Sequence, residues 1–122
     1  MRRDQFETLV GLALENLPEQ FKELMENVAV MVEDYPPKET MERLGRGGGL
    51  LLGLYHGVPY KHRGPHYGNI PPDIIVIYQK PIEMICRDEE QIREKIREVV
   101  IHEVGHYFGL SDKEMHEIEE QS

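Results

Sequence analysis

Two histidines four residues apart, His102 and His106, are the residues of this sequence best placed to do chemistry. On a helix they share one face, with Cβ atoms roughly 5–6 Å apart. Two neutral imidazoles so placed can bind one Zn²⁺ at about 2.0–2.1 Å each. Glu103, one position round the helix from His102, reaches a water held by the metal without binding the metal itself. Gly109 lets the chain leave the helix through a left-handed residue, and that turn swings Asp112 back toward the same ion. The pattern H-E-x-x-H-x-x-G-x-x-D over residues 102–112 therefore holds two nitrogen ligands, one carboxylate ligand and one general base. The fourth coordination position is left to water, as catalytic zinc sites require. A bare H-E-x-x-H arises by chance on amphipathic helices, but the glycine and the acid at fixed offsets make the pattern specific. The competing reading is a polar helix end whose histidines face solvent. Against it, Val99, Val100, Ile101, Val104, Phe108 and Leu110 surround the motif with apolar groups. Charged groups in such surroundings need a partner or a metal. His116 and Glu117 are alternative third ligands.

The motif resembles that of the Asp-zincins, metallopeptidases whose third ligand is an aspartate. The short chain, the acidic helix before the motif and the short tail after it are similar to the minimal bacterial zincin-like metallopeptidases. The resemblance is strong over residues 88–120 and rests on element order over residues 1–87. It implies an α+β, zincin-like fold, with a small mixed or antiparallel sheet of about three strands against an active-site helix and a backing helix. It carries over His102, His106 and Asp112 as ligands of one zinc ion and Glu103 as base. The implied activity is hydrolysis of peptide bonds, in a peptide or protein substrate, by a metal-activated water. One departure bears on this. The related metzincins have a methionine turn beneath the metal, whereas Met115 follows Asp112 too closely for that, so the floor of the site is expected from upstream. The bare scaffold leaves an alternative, a catalytically silent zinc- or peptide-binding domain with a structural metal. Glu103 argues against it, because a structural site has no need of a base beside its ligands.

A chain of 122 residues is read as one domain, residues 1–122. It can bury roughly two-thirds of its surface and needs no disulfide to fold. The lone cysteine, Cys86, excludes an internal disulfide and a C-x-x-C metal site, and reads as a small buried apolar group. A net charge of −9 argues against nucleic acid and anionic membranes as partners. Met1-Arg2-Arg3 starts like a signal peptide, but Glu7, Glu15 and Asn16 interrupt any apolar run. No stretch approaches the ~18 apolar residues of a membrane span. The expected location is cytoplasmic. The sequence leaves the oligomeric state open.

The elements that must position the motif follow from periodicity. Asp88 to Gln91 reads as a capping box, and Ile92, Ile96, Val99, Val100, Glu103 and Tyr107 track one face, so a helix is predicted over about 89–108. Ser111 with Glu114 caps a last helix, which fixes the angle of Asp112, and Met115 and Ile118 dock it. Upstream, Asp4 to Glu7 reads as the cap of an amphipathic backing helix carrying Phe6, Leu9, Val10, Ala13, Leu14 and Leu17. Pro18 opens a second short helix, with Phe21, Leu24 and Met25 inward. Val28–Val32, Leu50–His56 and Asp73–Gln79 read as strands, the first apolar on both faces and so covered. A helical turn is predicted at Glu39–Leu44, and another at Pro81–Cys86 that packs Ile82 and Ile85. Gly45–Gly49 is a connector, without the Lys-Ser/Thr of a phosphate loop.

Residues 57–72 form the one long irregular stretch, of the kind that often serves as a lid or binding loop. Tyr60, His62 and Tyr67 within it are candidate substrate-binding residues. His56, His62 and His66 have no rigid chelating spacing, so solvated or cleft-lining roles outweigh a second metal site. Zincins bind extended substrate along a sheet edge by strand addition, and either the strand at Leu50–His56 or that at Asp73–Gln79 could supply the edge.

Overall fold

The computed structural model describes residues 1–44, 50–57 and 72–121. The elements are α1 (Arg3–Glu15), α2 (Glu19–Leu24), β1 (Val28–Glu33), α3 (Lys38–Leu44), β2 (Gly53–His56), β3 (Asp73–Tyr78), α4 (Gln79–Ile85), α5 (Glu89–Tyr107) and α6 (Asp112–Glu120). Among the described residues no helix is long and apolar enough to cross a membrane.

The sheet has the order β1-β3-β2. β1 runs parallel to β3, pairing Val28 with Asp73 through Glu33 with Tyr78. β2 runs antiparallel to β3, pairing Gly53 with Ile77 through His56 with Ile74. The sheet is therefore mixed, and the fold is α+β, as the resemblance implied. β3 is central, paired on both sides, and its Ile75 and Ile77 are fully buried. Of the two strands that could have offered a free edge to a substrate, β3 is thereby removed, and β2 has the edge among the described residues. β1 is not the covered strand its composition suggests. It has a single strand neighbour among the described residues, and Met31 on it is 45% exposed.

α5 lies against β2 and β3, and α1 packs along α5. Their shared core holds Phe6, Leu9, Val10 and Ala13 from α1 with Ile92, Ile96, Val99 and Val100 from α5. Burying a large apolar side chain of this kind stabilises by ~1.5–3 kcal/mol. Gly53 lets β2 approach α5 closely, since a Cβ there would lie 2.5 Å from Val99 Cγ1.

Several predicted ends move. α1 starts before Asp4, and its first turn is tied by the Arg2 N–H donating to Gln5 Oε1 (3.1 Å) rather than by Asp4 with Glu7. α4 buries Ile82 but leaves Ile85 48% exposed, because Ile85 sits at its open C-terminal end. α5 begins as expected, with the Asp88 carboxylate accepting from the Gln91 N–H at 2.8 Å.

Candidate metal centre

α5 ends where the motif ends. Gly109 has φ +78°, the left-handed value that favours glycine. The Leu110 N–H bonds back to Gly105 O (2.9 Å) and the Gly109 N–H to His106 O (3.1 Å), the paired closure of a Schellman turn. Ser111 then caps α6. Its Oγ accepts from the Glu114 N–H (3.1 Å), and Glu114 Oε1 accepts from the Ser111 N–H (3.0 Å). Gly105 allows α6 to lie close, since a Cβ there would fall 2.6 Å from Met115 Sδ. Met115 is fully buried, so part of what packs beneath the motif comes from downstream, not only from upstream as expected.

This hairpin sets two histidines against two carboxylates. His102 and His106 have ring centroids 5.9 Å apart. Asp112 Oδ1 stands 3.7 Å from His106 Nε2, so the glycine turn does bring the acid back to the helix. Two donors on one tetrahedral zinc lie about 3.4 Å apart, given metal–ligand bonds of ~2.1 Å. Asp112 is nonetheless 95% exposed. His102 Nε2 faces a residue the motif does not name, Glu119 Oε1, near the end of α6. The two histidines thus meet different acids, and among the described residues no group of three or more His, Cys, Asp or Glu converges as a preformed metal cluster.

The residues nevertheless suit a metal. The donor set is two imidazole nitrogens with carboxylate oxygen. Glu119 Oε1 is buried and, apart from its pairing with His102 Nε2, has no hydrogen-bond partner among the described residues, so a cation shared with His102 would suit it. The alternative ligands fare worse. His116 pairs with Glu120 at 3.0 Å on the exposed side of α6, and Glu117 is exposed.

Glu103 is half-buried beneath β2 and accepts from the Tyr55 N–H at 3.3 Å. Burial pushes its carboxyl above the ordinary range, and the Tyr55 N–H and both imidazoles pull it back without cancelling the rise. It is therefore a stronger proton acceptor than a solvated glutamate. Tyr55 is held in place by stacking on Tyr107, with ring centroids 4.1 Å apart, and by its Oη donating to Asp73 Oδ2 at 2.6 Å. Between β2 and α5 lies a pocket of about 190 Å³ lined by residues that include Gly53, Glu98, His102 and Glu103. A larger groove of about 850 Å³ between α2 and α5 has charged walls of both signs, and its lining takes in neither His102 nor Glu103.

Tyr60, His62 and Tyr67, together with His66, lie outside the described residues. The sequence reading did not single out Tyr55, Gly105 or Glu119. Only Glu119 had a signal, since it stands seven residues, two helical turns, after Asp112 and so shares its face of α6.

The family model for zincin-like metallopeptidase matches residues 25–122, which take in the whole sheet, α5 and α6. Among solved structures, a conserved hypothetical protein from Thermo thermophilus is 22% identical, with 88% of this chain and 94% of that chain covered and a TM-score of 0.55. At that identity the likeness speaks for the fold. Comparison with curated proteins finds no match. The family match spans most of the chain and the entire candidate centre, and the chain belongs to the zincin-like metallopeptidase family.

Proposed function

We propose that this protein is a zinc-dependent peptidase in which His102, His106 and Asp112 hold one zinc ion and Glu103 is the general base. The observation that carries this reading is the setting of Glu103. It is half-buried, its proton affinity is raised, and it lies beside His102 under the outer edge of β2. A helix-end carboxylate kept only for solubility has no reason to be there.

When bound, zinc supplies a Lewis acid that lowers the pKa of water from 15.7 to about 7 and polarises the peptide carbonyl. The chain's own residues do the rest. His102 and His106 bind as neutral imidazoles, and Asp112 contributes a negative charge. Glu103 uses one oxygen to accept from the Tyr55 N–H, which orients the carboxylate. Its other oxygen takes the proton from the attacking water and later delivers it to the leaving amine.

Substrate binds in extended form beside β2. Leu52 O accepts from the Tyr78 N–H at 3.0 Å, so the even-numbered residues of this strand face β3. By alternation the backbone groups of Gly53 face outward, where a peptide can add as a strand. The test is incubation of zinc-loaded protein with a peptide library, read by mass spectrometry. Chelator-sensitive cleavage is expected. A zinc-bound protein that cleaves nothing, and melts far lower once chelated, would replace catalysis by a structural metal.

A further inference from the structure

Resting on the reading that His102 and His106 hold a metal, the structure points to a second acidic ligand. Glu119 Oε1 contacts His102 Nε2, while Asp112 approaches the neighbouring His106. Both contacts are to Nε2, the ring nitrogen farthest from the backbone, which an i, i+4 pair on a helix can direct at one shared ion. Glu119 Oε1 is buried and, apart from this pairing with His102, has no hydrogen-bond partner among the described residues. A buried carboxylate oxygen is stabilised by a cation, and a metal shared with His102 would supply one.

The position of Glu119 is fixed from its backbone. Arg97 on α5 donates Nη1 to Glu119 O (2.9 Å) and Nη2 to Ile118 O (3.0 Å), which closes the last turn of α6. Asp112 has a different setting. It is 95% exposed, and its contact with His106 spans 3.7 Å.

We propose that Glu119 is a direct ligand of the metal held by His102 and His106, and that it contributes more to metal affinity than Asp112. Two carboxylates would cancel the charge of a divalent ion. With His102 and His106 they would make a neutral set of four donors, of which Asp112 is the most exposed.

The test compares wild type, Glu119→Gln, Glu119→Asp and Asp112→Asn. Zinc affinity is measured by competition with a chromophoric chelator, coordination by the visible spectrum of the cobalt-loaded protein, and folding by melting of the metal-free protein. Glu119→Gln is expected to weaken zinc binding at least a hundredfold and to change the cobalt spectrum. Asp112→Asn is expected to weaken it less. The melting of metal-free Glu119→Gln should fall less than that of the zinc-loaded variant, since only the pairing with His102 is exchanged for an amide while the loaded protein also loses a metal ligand. Glu119→Asp, which keeps a shorter carboxylate, should bind with intermediate affinity and shows that the loss follows the carboxylate rather than the fold.

An unchanged cobalt spectrum in Glu119→Gln overturns the proposal, whatever the affinity, because it leaves Glu119 as a partner of His102 alone. So does a metal-free melt lowered to the same extent as the holo melt, the mark of a structural ion pair. A wild type that binds no metal at all is a separate result, which removes the histidine centre itself.

Discussion

Gly105→Ala probes the packing on which the candidate centre depends. The new Cβ would lie 2.6 Å from Met115 Sδ and 2.9 Å from its Cγ. Carbon contacts are comfortable at about 3.5–4.0 Å, so α6 or Met115 must give way by roughly 1 Å. Met115 is fully buried, and overpacking of this kind costs about 1–3 kcal/mol. Replacing glycine by alanine inside a helix returns ~0.8–1.0 kcal/mol. The net effect in the wild-type background is a loss of up to about 2 kcal/mol, or ~4 °C in Tm per kcal/mol for a chain of this size. Met115→Ala alone should cost ~2–5 kcal/mol through its cavity. In that background the clash is gone, and Gly105→Ala should stabilise by ~1 kcal/mol. Urea unfolding of the four metal-free proteins gives the coupling, expected at ~1–3 kcal/mol. If Gly105→Ala stabilises both backgrounds equally, α6 does not pack against α5 as described, and the placement of Asp112 and Glu119 fails with it.

Other consequences can be measured in the same way. Ser111→Ala removes the hydroxyl that caps α6. It should cost about 1 kcal/mol of stability by urea unfolding, and it should lower zinc affinity because both candidate carboxylates ride on α6. A variant that loses stability yet binds zinc as wild type would separate the cap from the centre. Asp34 is held below the ordinary carboxylate value by the Arg3 guanidinium, which donates to it at 2.7 Å. A depressed folded-state pKa gives stability that is present above the unfolded value of ~3.9 and is lost as pH falls through the folded one. Asp34→Asn should therefore narrow its gap to wild type as pH drops below about 4. A gap that widens there would contradict the ion pair.

What could be read from sequence was local. The motif helix was expected over about 89–108 and runs Glu89–Tyr107, because the Asp88 cap and a 3.6-residue apolar period are written in neighbouring residues. The glycine turn and the Ser111–Glu114 cap follow from single residues with one good conformation each. Strand order could not be read in this way. All three strands are apolar, and only packing makes β3 central and leaves Met31 of β1 exposed. The first helix was entered too late, because Asp4 with Glu7 has the form of a capping box while Gln5 reaches back to Arg2. Glu119 escaped because its spacing from Asp112 gives only a shared face of α6, whereas its contact with His102 needs α6 folded back on α5. The partner of Glu103 escaped for a related reason. It is a backbone N–H, and backbone groups leave no signature in a sequence.

The central claim, that a carboxylate beside a histidine-held metal moves the proton in peptide hydrolysis, is tested most directly on Glu103→Gln. Zinc content and peptide cleavage are measured on the same sample. The account predicts one equivalent of zinc, as in wild type, with turnover lowered by about two to four orders of magnitude, the scale of a lost general base. Cleavage at the wild-type rate by the zinc-loaded variant would contradict it.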